Sequence, residues 1–159
     1  MMCEDMDKLV ESSVTEVFST MLNFNLESVP PDDPLLNGEQ HIASAVGFIG
    51  RLTGVVYLYV GSGFAVRITS GLVGIPANEI DGNEMVNDAM GEMANMVVGH
   101  IKSTLSDRGL PCQLTIPSIV RGNQFSIEPV STTQRRVFKF KTGTDQLLVE
   151  MLIKPVGGH

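Results

Sequence analysis

The spacing of hydrophobic positions predicts two long amphipathic helices. In residues 4–22, apolar residues recur three and four positions apart, as in one buried helical stripe. The members of this stripe are Val10, Val14, Val17, Phe18, Met21 and Leu22. The second helix spans about residues 83–106, and Gly109 is expected to end it as a left-handed cap. Between them, a short helix closed by Gly71 or Gly74 is predicted within residues 61–74.

Segments rich in β-branched and aromatic residues predict strands between and after these helices. The predicted strands lie in residues 41–50, 53–60, 113–120, 123–130, 135–141 and 146–155. Short turns join the first two and the last two strands, and the prolines and acids of residues 28–40 predict an irregular loop. Strand clusters of this kind favour an α+β fold, with a mainly antiparallel sheet and two long helices packed on one face.

Length and composition indicate a globular protein. The chain has 159 residues, of which 43% are hydrophobic, and residues 1–159 are expected to form one domain. No run approaches the roughly 20 apolar residues that a membrane helix needs, so no membrane association is expected. The amino terminus, MMCEDMDKL, is acidic where a signal peptide would be basic, so a cytoplasmic location is expected.

Charge and cysteine content narrow the function classes. A net charge of −7 argues against a nucleic-acid-binding protein, which would normally carry a basic stripe. Cys3 and Cys112 are the only cysteines, and the three histidines are scattered. Neither a disulfide framework nor a metal site is therefore predicted. His100 falls near the core stripe of the second helix, which favours a structural role.

The second long helix carries both a core stripe and a polar face. At about 100° per residue, the core stripe contains Val86, Met90, Met93, Val97, Ile101, Thr104 and Leu105. The opposite face contains Asp88, Glu92, Asn95, Gly99, Lys102, Ser103 and Ser106, with Met85 and Met96 at its edge. This face is either a simple solvated surface or a contact surface.

Three features of the polar face favour a contact surface. Asn95 is a poor residue for a helix interior, because its side chain competes for backbone hydrogen bonds. Gly99 costs about 1 kcal/mol relative to alanine at such a position. Met85 and Met96 place adaptable apolar side chains beside polar ones, a composition suited to a partner surface.

The polar face also carries a spaced motif. Asp88-x3-Glu92-x2-Asn95 resembles the D/S-x3-E-x2-N motif of the CheC/CheX/FliY chemotaxis phosphatases, which hydrolyse the aspartyl phosphate of CheY. The chain length, the amino-terminal helix and the strand-rich second half resemble this family as well. The resemblance implies a phosphatase of CheY or a CheY-like receiver, in chemotaxis or another two-component circuit. Such a phosphatase would need no cofactor of its own, because the phosphorylated receiver would supply Mg²⁺.

The resemblance implies a role for each residue of the face. Asn95 would orient the attacking water, since an uncharged amide both donates and accepts hydrogen bonds near phosphate oxygens. Glu92 would pair with the lysine of the receiver's active site. Asp88 either shapes the docking surface or is a solvated acid favoured by the helix dipole. Gly99 would let the partner approach closely. Met85 and Met96 complete the expected partner-binding set.

The first helix departs from the pattern of the CheC-like members, which carry a second E-x2-N there. Glu11 is followed by Val14 and Glu16 by Ser19 at the amide position, so neither pair matches. One site per chain is therefore expected, and in this respect the chain resembles CheX. The resemblance to CheX implies a homodimer.

Other interpretations stay open. The chain could be a non-catalytic receiver-binding or flagellar-switch-type module of the same fold, or a structural oligomerisation domain. The basic residues that alternate along 135–141 have two interpretations. They belong to a solvated outer face or a charged edge, or else they form a dimer edge or a docking surface.

Overall fold

The computed structural model describes residues 3–31, 40–123 and 133–154. It contains helices α1 (Cys3–Leu22), α2 (Ser62–Val73) and α3 (Glu84–Asp107), with a short 3₁₀ turn at Ala77–Glu79. The strands are β1 (Glu27–Val29), β2 (His41–Gly50), β3 (Thr53–Gly61), β4 (Cys112–Leu114), β5 (Ser118–Gly122), β6 (Gln134–Thr142) and β7 (Asp145–Lys154).

The strands form one antiparallel sheet in the order β1-β6-β7-β3-β2-β4. Strand β5 also pairs with β2, so β4 and β5 follow one another along the same edge of β2. The Thr115–Pro117 segment separates them. This interruption breaks the single strand that was predicted over residues 113–120, because Pro117 has no backbone N–H for a ladder.

The three helices pack on one face of the sheet, which confirms the predicted α+β architecture. Alternate strand residues such as Val56, Leu58 and Val149 are buried in the same core cluster as the inner faces of α1, α2 and α3. The core therefore lies between the sheet and the helices. Two of the helices are long, as predicted, and the 12-residue α2 is a third on the same face.

Most predicted boundaries agree with the structure, and the differences have local causes. Gly74, at φ 78°, rather than Gly71, caps α2, and Gly109, at φ 80°, follows α3 as predicted. Met21 is 46% exposed, so its assignment to the core stripe of α1 was wrong. Strand β1 occupies the start of the predicted loop, because Glu27–Val29 pairs with β6. Most of the loop predicted over residues 28–40 and of the strand predicted over residues 123–130 falls on residues 32–39 and 124–132, which lie outside the described part.

The outer sheet face is more ionic and more buried than a solvated surface. The Tyr59 hydroxyl donates to Glu150 Oε1 at 2.9 Å, Arg135 pairs with the other oxygen, and Glu150 is only 2% exposed. Lys139 is buried as well. Burial and the Glu150 carboxylate raise the pKa of Tyr59 above its usual value. The predicted solvated face of residues 135–141 is therefore wrong for Lys139 and only partly right for Arg135.

In the described part of the chain, no helix combines the length and apolar character that crossing a membrane would require.

Candidate functional site

Helix α3 is buried along most of its circumference. The predicted core positions are buried, apart from Thr104, which is half-buried. Four further residues are buried too: Ala89, Gly91, Ala94 and Val98. The buried surface is therefore wider than the sequence predicted, and at Gly91 this is because Pro117, in the segment after β4, packs against the helix. Only a narrow strip of the helix remains exposed.

The exposed strip presents the predicted pair. Asp88 and Glu92 are exposed, whereas Asn95 is half-buried. Glu92 and Asn95 are one helical turn apart, where Cβ atoms lie about 5–6 Å from each other. Within residues 3–31, 40–123 and 133–154, neither side chain makes a hydrogen bond or an ion pair. Within the described part of the chain, both polar groups are therefore without a hydrogen-bonding partner.

Arg121 fixes the beginning of α3 to the sheet. Its Nε and Nη2 atoms donate to Asn87 Oδ1 at 3.1 and 2.6 Å, and Nη2 also donates to the Asn83 carbonyl at 3.4 Å. Asn83 is the residue that precedes the helix, and its carbonyl accepts the Asn87 N–H at 2.8 Å. Sequence reasoning missed Arg121, because nothing local shows that β5 passes beside the start of α3.

The β4–β5 connection packs against the same side of α3. A Cβ atom at Gly91 would lie 3.3 Å from Pro117 Cβ, so helix and segment approach closely. Thr115 holds the segment to β2, because its N–H donates to the Gly47 carbonyl and its hydroxyl accepts the Gly47 N–H. The exposed strip therefore sits on a helix with little freedom to move.

On the other side, His100 joins α3 to α1. His100 Nδ1 is 2.9 Å from the buried hydroxyl of Ser13, and His100 Nε2 is 3.1 Å from Glu16 Oε2. These contacts agree with the structural role predicted for His100. The second contact also engages the carboxylate of Glu16, which is the acid of the Glu16-x2-Ser19 spacing on the first helix.

A groove of about 320 Å³ opens between α1 and α3; we call it the α1/α3 groove. Its lining residues are Glu16, Val17, Thr20 and Met21 from α1, and Met96, Gly99, His100 and Ser103 from α3. Two predicted partner-binding residues, Met96 and Gly99, thus line a concavity. Met85 lies half-buried near the start of α3. A Cβ atom at Gly99 would meet no atom within 4 Å.

The remaining candidate chemistry is limited. Among the described residues, no group of three or more histidines, cysteines, aspartates or glutamates could hold a metal ion. Cys112 is buried, and burial raises the pKa of its thiol, although Lys102 partly opposes this. A buried thiol of raised pKa is a poor nucleophile. The Glu92–Asn95 pair is the arrangement best suited to act on a partner.

Comparisons with known proteins identify the family of the chain. The family model described as chemotaxis phosphatase CheX matches residues 42–141. A crystal structure of a CheC-like superfamily protein from Shewanella sp. PV-4 is 26% identical, with a TM-score of 0.80 over 96% of this chain and 99% of that one. A comparison with curated protein sequences found no significant match.

Two CheX structures share the fold. CheX from Desulfovibrio desulfuricans is 23% identical, with a TM-score of 0.79 over 94% of this chain and 99% of that one. The CheX–CheY–BeF3–Mg²⁺ complex from Borrelia burgdorferi is 19% identical, with a TM-score of 0.76 over 93% and 97%. The family match covers well over half of this chain and includes the turn that carries Glu92 and Asn95. This protein belongs to the CheX family of chemotaxis phosphatases.

Proposed function

We propose that this protein hydrolyses the aspartyl phosphate of CheY or a CheY-like receiver domain. The observation that carries the proposal is the Glu92–Asn95 pair, which makes no hydrogen bond or ion pair with the described residues although its helix is held on both sides. A polar pair that the fold does not use is suited to a second molecule. The complex of the Borrelia burgdorferi relative with CheY supports a receiver as that molecule.

In this proposal, Asn95 positions the attacking water. An acyl phosphate is already reactive, so the main requirement is a water held in line with the scissile P–O bond. The amide oxygen of Asn95 can accept a hydrogen bond from the water while its NH2 group donates one to a phosphoryl oxygen. A carboxylate at this position would repel the phosphoryl oxygens. Asn95 is half-buried, which restricts its rotamers and favours one orientation.

Glu92 supplies the charge of the site. Its exposed carboxylate would pair with the lysine of the receiver's active site and draw that lysine away from the phosphoryl group. Asp88 lies one further turn towards the start of α3 and, together with Met85, borders the docking surface. The protein would use no cofactor of its own, and Mg²⁺ bound by the receiver would neutralise phosphoryl charge. A receiver partner also implies a cytoplasmic location.

We further propose that residues 1–159 are one domain and act as a homodimer. All three helices and strands β2, β3, β6 and β7 contribute to one core cluster, which supports a single domain. Apolar side chains on the outer sheet face support self-association, because Ile49 and Val120 are both more than half exposed there. Sedimentation of wild type and Val120→Lys would test whether this face forms the dimer.

The test of the activity is the loss of phosphate from a Mg²⁺-loaded, phosphorylated CheY-like receiver. Wild type should accelerate this loss, and Asn95→Ala should lower the rate on the order of 100-fold, because the role of Asn95 is geometric. Asn78→Ala is the matched control, since Asn78 is an exposed asparagine on the turn before α3. Circular dichroism would check folding.

The same experiment separates the alternatives. If wild type binds the receiver without accelerating phosphate loss, the protein is a non-catalytic receiver-binding module. If substitutions of the exposed α3 strip alter neither binding nor phosphate loss, a structural oligomerisation domain accounts better for the chain.

A further inference from the structure

The α1/α3 groove is a feature that the catalytic pair does not explain. The pair needs only one turn of α3, yet a concavity of about 320 Å³ begins at the next residue, Met96, and includes Gly99 one turn after Asn95. This volume far exceeds the roughly 30 Å³ that one water molecule occupies. Half of its lining comes from α1, which has no E-x2-N pair.

The lining of the groove is chemically divided. Val17, Met21 and Met96 offer apolar surface, whereas Glu16, His100 and Ser103 are polar. Glu16 and His100 hydrogen-bond to each other, which leaves less of their polar capacity for a ligand. Met21 is 46% exposed at the carboxyl end of α1, although its spacing belongs to the core stripe. An exposed methionine beside an open groove suits an apolar group that packs against it.

We propose that the α1/α3 groove receives one apolar side chain of the receiver whose phosphate Glu92 and Asn95 act on. This inference rests on the proposed function. The inference follows because the groove adjoins the Glu92–Asn95 pair along α3, so a molecule bound at Asn95 would lie over Met96 and Gly99 as well. The role of α1 is then to provide the second wall of a specificity pocket.

The open space at Gly99 makes the proposal testable. A Cβ atom there meets nothing within 4 Å, and replacing a helix glycine favours the helix, so Gly99→Leu should fold and fill the groove. The KM for the phosphorylated receiver should rise about 10-fold, the usual effect of excluding one apolar group, with kcat unchanged. Asp107→Leu is the control, because Asp107 is exposed on the same helix but lies outside both the groove and the polar face.

A second variant tests the wall that α1 supplies. Met21→Ala removes apolar surface without unfolding the protein, since Met21 is nearly half exposed. It should also raise KM several-fold and leave kcat unchanged. Ser19→Ala is the matched control on α1, because Ser19 is exposed and does not line the groove. A raised KM in both Gly99→Leu and Met21→Ala, with both controls at the wild-type KM, supports a pocket formed by α1 and α3.

The receiver Kd, measured alongside by fluorescence titration, keeps the two proposals distinguishable. If wild type fails to accelerate phosphate loss but both groove variants weaken receiver binding, the groove proposal stands and the catalytic proposal fails. If wild type is active and either variant keeps the wild-type KM and Kd, the groove proposal is overturned. An occupant other than the receiver, such as a small apolar molecule, would give this second result.

Discussion

Helices α1 and α3 both carry a glutamate followed three residues later by a polar residue, but the fold uses the two pairs differently. Glu16 of α1 is hydrogen-bonded to His100, which also contacts the buried Ser13. Glu92 of α3 makes no such contact within the described residues. The comparison shows that sequence spacing identifies a candidate pair, whereas the contacts around it decide whether the pair can serve a partner.

The largest expected difference between the two helices concerns activity. Glu92→Gln should lower kcat/KM for the phosphorylated receiver about 100-fold, because it would remove the charge pair that we propose with the receiver's lysine. Glu16→Gln should change kcat/KM less than about 3-fold, because glutamine keeps the shape of the groove lining and can still hydrogen-bond to His100. Steady-state phosphate release measures both. Equal losses in the two variants would contradict the assignment of separate roles.

The next effect concerns stability. His100→Ala should lower the free energy of unfolding by about 1–3 kcal/mol, because the Ser13 hydroxyl stays buried without its partner. Urea denaturation measures this change. The double variant Ser13→Ala/His100→Ala is the control and should recover part of the loss, since both polar partners are then removed. No recovery would mean that lost packing, and not the orphaned hydroxyl, accounts for the change.

A smaller effect concerns the glycines, which α3 contains and α1 lacks. Gly99→Ala should raise the free energy of unfolding by about 0.5–1 kcal/mol, because alanine is the better helix residue and its methyl group meets no atom. Thermal denaturation would detect the increase. Gly91→Ala is the informative contrast, since its methyl group would press on Pro117 and cancel the gain.

The last comparison concerns a variant for which no change in phosphatase activity is expected. Ser19→Asn places an amide three residues after Glu16, which gives α1 the same glutamate-to-asparagine spacing as the α3 site. Introduced into Asn95→Ala, it should restore no phosphatase activity, because Glu16 remains bonded to His100 and cannot reach the receiver's lysine. Phosphate release from the receiver measures it. Restored activity would show that spacing alone suffices to make a site.

The sequence predicted the elements better than their contacts. Periodicity located α1, α3 and the β2–β3 hairpin, because apolar alternation depends on local burial. It could not show that β5 passes beside the start of α3, which brings Arg121 to Asn87, thirty-four residues away in the chain. It also assigned Met21 to the core, because periodicity cannot reveal that a groove opens at the end of α1.

The candidate site was predictable for a different reason. Asn95 and Gly99 conflict with a helix in propensity, and Met85 and Met96 place apolar side chains beside polar ones; such local conflicts mark functional positions. Asp88 and Glu92 carried no comparable conflict, and the spacing of the motif alone selected them. The α1/α3 groove left only a faint mark in the sequence, because its walls come from residues about eighty positions apart.

The independence of Glu92 and Asn95 from the rest of the described fold has an evolutionary consequence. Since neither side chain makes a hydrogen bond or an ion pair with the described residues, replacing either one should change folding and cellular abundance little. A single substitution could then turn a phosphatase into a protein that binds the same receiver and competes for it. Selection would preserve this pair only through the signal it terminates, whereas the contacts of Arg121 and His100 are preserved by folding itself.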